Sequence, residues 1–312
     1  MPKRLPETSQ VKAIMAAVRS RAALRDDPAI PAPGEVASRA AQRSAGQLLA
    51  AHLAQSGYDL TPVEKLREQH QARARRDAER FRVEALEGAG PATSAARAAA
   101  VDRAHQLEQA PGVAESHLLQ APFEVVATRD LRLSGRHDAP LDTWVKFRET
   151  SSGSGAGDVV FSYLWQNLDD RFRVVQVDGF LVLNGVVQMG ADGGWGGEAS
   201  SQVNLTARLQ LWEWWNQPPT VPMPEPNQSL PAFSRRLETP WAIMDVGAVS
   251  SDAVFRGFDL RYETFLVPPQ GVAVLDVVLG VSYANADGNV DLDFESGDLR
   301  VASPAVIVRV LP

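Results

Sequence analysis

The side-chain pattern changes period near residue 120, and this break constrains the fold more than any other feature of the chain. Before it, Tyr58 and Phe81 are the only aromatics; after it come all seven tryptophans, at 144, 165, 195, 212, 214, 215 and 241. Helices repeat every 3.6 residues and strands every two, so the two patterns require different elements. The chain therefore predicts an α+β fold by segregation. Residues 1–120 form an Ala/Arg-rich helical region, and residues 121–312 an antiparallel β-sandwich for which jelly roll is the expected topology. A length of 312 residues with 45% hydrophobic content supplies enough core for two units.

In the first region good helix formers fill residues 10–24 and 35–55. Thr61-Pro-Val-Glu64 reads as a capping box with proline in the first turn, and predicts a third helix from there to about Glu87. Gly88-Ala-Gly-Pro91 reads as its end, with a fourth helix from Thr93 or Ser94 to about Gln109. Large apolar residues are sparse here: between Pro62 and Glu87 they are Val63, Leu66, Phe81, Val83 and Leu86. So thin a stripe cannot hold a free-standing bundle with much margin, so the expectation is that the helices pack on the second region or on other copies, where small alanines allow close approach, the alternative being an extended, partly disordered arm.

The second region reads as about ten short strands separated by turn residues. Asn184-Gly185, between apolar runs, predicts a two-residue hairpin. Asp287-Gly288 predicts another turn, followed by a strand with Val290, Leu292 and Phe294 inward and Asp291, Asp293 and Glu295 outward. Ser151–Gly157 and Gly193–Gly197 read as glycine-rich surface loops, and residues 217–234 as a long loop. Strict alternation from Gln202 to Leu211 marks a half-buried strand whose inward set is Val203, Leu205, Ala207, Leu209 and Leu211. Continuing that register puts Trp212 and Trp214 on the polar face.

Those two indoles are the first candidate contact residues. They serve a protein partner, a sugar ring, or the protein's own packing, and the most economical cover is protein from this chain or its neighbour. The second candidate is the arginine-rich stretch containing Arg73, Arg75, Arg76 and Arg80. It suits phosphate, but nucleic acid ranks below a solvated helix face or a protein contact. Charge is segregated too: residues 1–120 carry 17 Lys+Arg against 14 Asp+Glu, leaving 14 against 24 in the remainder.

No motif points to catalysis. All five histidines precede residue 138, and only His137, in a turn-like segment, belongs to the sandwich region. There is no cysteine, which excludes disulfides and thiolate chemistry. No cofactor or metal is expected. No stretch is long and apolar enough to span a bilayer, and no conventional secretory signal is evident, so the expected location is the cytoplasm, or outside after release without such a signal. The expected function is a non-enzymatic structural or self-assembling subunit, a homo-oligomer built through its helices and aromatic sheet edge. In layout alone this resembles single-jelly-roll virus coat proteins, whose barrel follows an arm. The alternative is a carbohydrate- or ligand-binding module using an exposed Trp212/Trp214 face.

Overall fold

The computed structural model describes residue 15 and residues 33–129, 131–195, 197–214, 228–239 and 247–312. Besides helical Met15, the described residues hold the helices α1 (Pro33–Gln55) and α2 (Thr61–Glu108), followed by thirteen strands. One sheet holds β1 (Glu115–Leu119), β3 (Gly135–His137), β4 (Trp144–Ser151), β6 (Arg173–Ala191), β9 (Ala248–Val267), β11 (Gly288–Phe294), β12 (Arg300–Ala302) and β13 (Val306–Val310). The other has the order β2 (Glu124–Ala127), β5 (Gly155–Gln166), β10 (Val272–Ala286), β7 (Ala199–Trp214), β8 (Gln228–Thr239). Every ladder is antiparallel. The expectation for residues 10–24 falls outside the described residues except at Met15, which is helical. No described helix is long and apolar enough to cross a membrane.

The core lies between the sheets, and the predicted inward set of β7 is buried there against Leu181, Leu183, Leu275 and Phe294. Tyr163 crosses it from β5, its hydroxyl donating to the Ser303 carbonyl at 2.7 Å. Burial pushes that phenol well above the usual tyrosine range.

β6 organises the larger sheet. Along one edge it pairs with β9, and along the other with β13, β12 and β11 in turn. Its odd residues, including Leu181, Leu183, Val187 and Met189, enter the core between the sheets. Its even residues Phe180, Val182 and Val186 face outward, and α2 covers them with Ala85, Ala89, Ala100, Ala104 and Leu107. The alanine spacing follows the helical repeat, so one smooth stripe of α2 lies on the sheet.

Close packing corrects three sequence expectations. Asn184-Gly185 is not a hairpin: β6 runs straight through it. Asn184 is buried and donates from Nδ2 to the Ala89 carbonyl of α2 at 2.8 Å and to Thr93. Gly185 has no side chain because a Cβ would meet the Phe294 ring. Likewise Gly88-Ala-Gly-Pro91 does not end a helix, since α2 is continuous through Pro91. Gly90 instead lets the helix approach Asp298, whose Oδ2 lies 2.7 Å from where a Cβ would stand. The third case is Ser151–Gly157: residues from Gly155 belong to β5, with Gly155 against Tyr283 and Gly157 against Leu131. In each case glycine serves close approach rather than a turn.

Other differences are smaller. α2 starts at Thr61 as expected, but not through a capping box: the N-cap position is Leu60, with no side-chain cap, and Asp59 Oδ1 accepts from the Thr61 N–H at 3.0 Å. Asp287, at φ 56°, turns the chain from one sheet to the other rather than closing a hairpin, because β10 and β11 lie in different sheets. Within the expected 217–234 loop, residues from Gln228 belong to β8, and Pro231 is accommodated at a register shift on an edge strand. β1, which pairs with β13, begins before residue 120.

Three arginines of α2 also face the sandwich. Arg67 bonds Asp192 at 2.6 Å, Arg82 bonds Asp293 at 2.7 Å, and Arg97 pairs with Asp142. Burial alone would raise the Asp293 carboxyl, but hydrogen bonds from Ser296, the Glu295 N–H and Arg82 outweigh it and hold the group below the ordinary carboxylate range. Val290, Leu292 and Phe294 are inward as expected, whereas Asp293, on the outward face, is buried under α2.

Two outcomes test this packing. Gly185→Ala should cost at least about 1–3 kcal/mol of unfolding free energy by overpacking against Phe294, measured by denaturant titration. An unchanged midpoint would show that the ring yields freely. Because the Asp293 pKa is depressed on folding, its contribution is present above the unfolded value near 4 and is lost as pH falls through the folded value. Arg82→Met should therefore cost about 1.5–3 kcal/mol at pH 7, a difference that shrinks below about pH 4; a pH-independent difference would remove the ion pair from the explanation.

Candidate functional site

While α2 dresses the outer face of the larger sheet, the outer face of the five-stranded sheet carries a polar cleft. Antiparallel register fixes its rows. Trp212 lies beside Val274 and Leu164, Gln210 beside Asp276 and Ser162, Arg208 beside Val278 and Val160, and Thr206 beside Gly280 and Asp158. From Gln210 downward these rows, closed at one side by Thr128 and Arg129, enclose a cleft of about 190 Å³.

Trp212 ends this cleft but does not face solvent. It is 6% exposed and packs with Met15, Val272 and Val274. Its Nε1 donates to Asp276 Oδ2 at 2.8 Å, and Ser162 Oγ donates to Asp276 Oδ1 at 2.6 Å. Here a residue from the N-terminal region supplies the cover, so the exposed tryptophan face expected by the carbohydrate alternative is not present at Trp212. Trp214 shares that face by register, opposite Val272; its side chain, like all of Trp215, lies outside the described residues.

Below Trp212 the cleft floor is charged but internally neutralised. Arg208 pairs with Asp158, whose N–H donates to Thr128 Oγ1 at 3.0 Å. Gly280 makes room, since a Cβ there would stand 2.9 Å from Arg208 Nη2. Arg129 at the rim has φ 57°, a costly backbone for a non-glycine residue.

The arginine candidates lie elsewhere. Arg73, Arg75, Arg76 and Arg80 are exposed on α2, with Asp77 near both Arg73 and Arg80. The helix covers the opposite sheet, so the two sets of candidates are not brought together. His137 stacks on Trp144 with ring centroids 5.4 Å apart and has its Nε2 3.5 Å from Asp142, a surface arrangement. A second charged group sits at the far end of α2, where Asp178 accepts from Arg261 at 2.8 Å and Arg309 at 2.5 Å.

Sequence reasoning placed Thr206, Arg208 and Gln210 on the polar face of β7 but did not single them out as a site. The missed signal was Asp276, a lone acid within the apolar run of β10, which marks where that strand's outward face meets polar neighbours.

No family model matches the chain, and no curated protein matches it. Among solved structures, the mannan-recognising carbohydrate-binding module TmCBM27 aligns at 13% identity and a TM-score of 0.21, covering 64% of this chain and 95% of that one. TmCBM61 in complex with β-1,4-galactotriose aligns at 8% identity and a TM-score of 0.17, covering 54% and 86%. The infectious bursal disease virus VP2 subviral particle aligns at 10% identity and a TM-score of 0.18, covering 64% of this chain and 41% of that one. Likeness at this level supports no conclusion about ligand or assembly.

The Trp212 geometry yields its own test. Trp212→Phe keeps most of the packing but removes the donor to a buried carboxylate, and should cost about 1–3 kcal/mol in chemical denaturation. A variant as stable as the parent would mean that Asp276 does not need the indole.

Proposed function

We propose that this protein is a non-catalytic structural subunit that associates with copies of itself, with the sandwich, read as jelly-roll-like, as its body. Supporting the jelly-roll reading, consecutive strands from β4 to β7 alternate between the two sheets. The observation that carries the association is an apolar surface at one end of the β6–β9 ribbon. Val174 and Leu266 stand opposite each other in register, flanked in sequence by Phe172 and Leu168, with exposures of 39%, 49%, 49% and 73%. Clustered large apolar side chains on a surface favour a protein contact, because burying each contributes about 1.5–3 kcal/mol.

Charge favours a second copy as the occupant. The sandwich region is acidic, whereas the exposed side of α2 presents Arg73, Arg75, Arg76 and Arg80, so one copy's helix complements another's body. The contact differs from the one the sequence suggests, because α2 spends its apolar stripe on its own sandwich. The exposed Leu48 of α1 is a further apolar contact available to a neighbour.

Light scattering across a concentration series tests this reading. The parent chain should form a defined oligomer, and Val174→Asp/Leu266→Asp should weaken association at least tenfold without lowering the melting temperature. A parent that stays monomeric at the highest concentration overturns the proposal.

A further inference from the structure

The cleft on the five-stranded sheet has a chemistry that self-association does not use, and we infer that it binds a neutral, polyhydroxylated ligand, a short oligosaccharide, by hydrogen bonding along β7 and β10. The first argument is charge. Both carboxylates in the cleft are already engaged, Asp158 by Arg208 and Asp276 by Trp212 and Ser162. An anion entering would meet two carboxylates, and a cation would meet Arg208 and Arg129. A ligand without net charge pays neither repulsion and desolvates no unpaired ion.

The second argument is the set of groups left over. Among the described residues, the side chains of Thr206, Gln210 and Ser282 line the cleft and make no hydrogen bond to another described residue, their backbones being paired in the sheet. Hydroxyl and primary amide groups both donate and accept, as sugar hydroxyls do. Thr206 and Gln210 are four residues apart on one face of a strand, a span of roughly 13 Å at 3.3 Å per residue. That length suits a ligand of several linked rings rather than a single small molecule.

The third argument is shape. A floor of about 190 Å³ accommodates part of such a ligand while the rest continues along the open face. Glycine at 280 keeps the floor low, since a Cβ there would strike Thr206 and Arg208. Trp212, lying under Met15, closes one end, so recognition here runs through the polar rows rather than through stacking on an open indole.

Ligand-observed NMR and calorimetry on the full chain, with a panel of neutral tri- to pentasaccharides and their carboxylated or sulfated counterparts, test the assignment. At least one neutral oligosaccharide should bind, its charged counterpart should bind more weakly, and Gln210→Ala and Thr206→Val should each weaken binding about three- to tenfold with an unchanged melting temperature. The inference is overturned by any of three results: silence from every neutral sugar at millimolar concentration, a preference for the charged ligands, or undiminished binding by the Gln210→Ala/Thr206→Val double variant. Val174→Asp/Leu266→Asp should bind the same sugar as tightly as the parent, which separates this site from the self-association surface.

Discussion

The alanine stripe of α2 against the outward residues of β6 is the contact on which the rest of the architecture depends. Where α2 lies on it, β6 is buried on both faces, so the outward residues there must be apolar or satisfied by the helix: Phe180, Val182 and Val186 meet the apolar stripe of α2, and Asn184 bonds the Ala89 carbonyl. Small side chains on the helix are what make this possible, since backbone atoms of α2 must come within hydrogen-bonding distance of a sheet side chain. A helix of leucines would stand too far off. The scarcity of large apolar residues in α2 is thus a requirement of its docking.

The same contact explains which parts of the fold the sequence revealed. Where one face of an element meets solvent, periodicity shows the fold: the inward set of β7 and the outward position of Trp212 followed from alternation alone. Where both faces are buried, alternation vanishes and glycine carries two meanings. Asn184-Gly185 and Gly88-Ala-Gly-Pro91 carry the residues of a hairpin and a helix stop, yet both lie at close approaches, and a single sequence cannot distinguish a turn from a close approach. The difference depends on partners far along the chain, Phe294 for Gly185 and Asp298 for Gly90.

Charge segregation resolves in a related way. Opposite net charges on the two regions suggest attraction without saying between which molecules. Within the described residues, the arginines at 67, 82 and 97 meet carboxylates of their own sandwich, those at 192, 293 and 142. Arg73, Arg75, Arg76 and Arg80 differ from them only in position around the helix. Pairs such as Arg82–Asp293 are shielded from water and so specify how the helix sits; the exposed set interacts in water over about one Debye length and contributes little within the chain.

The two outer faces of the sandwich are therefore inequivalent, and the inequivalence begins in the strands themselves. The outward residues of β6 are apolar where the helix lies, whereas those of β7 are Gln202, Asn204, Thr206, Arg208 and Gln210 until Trp212. A second alanine-rich helix laid over β7 would strand those polar groups without water. The row where β7 turns apolar, at Trp212, is also the row that Met15 covers. At Trp212 and along the part of β6 beneath α2, cover follows apolarity, and the polar rows of β7 left open are where a hydrogen-bonding ligand can replace water group for group.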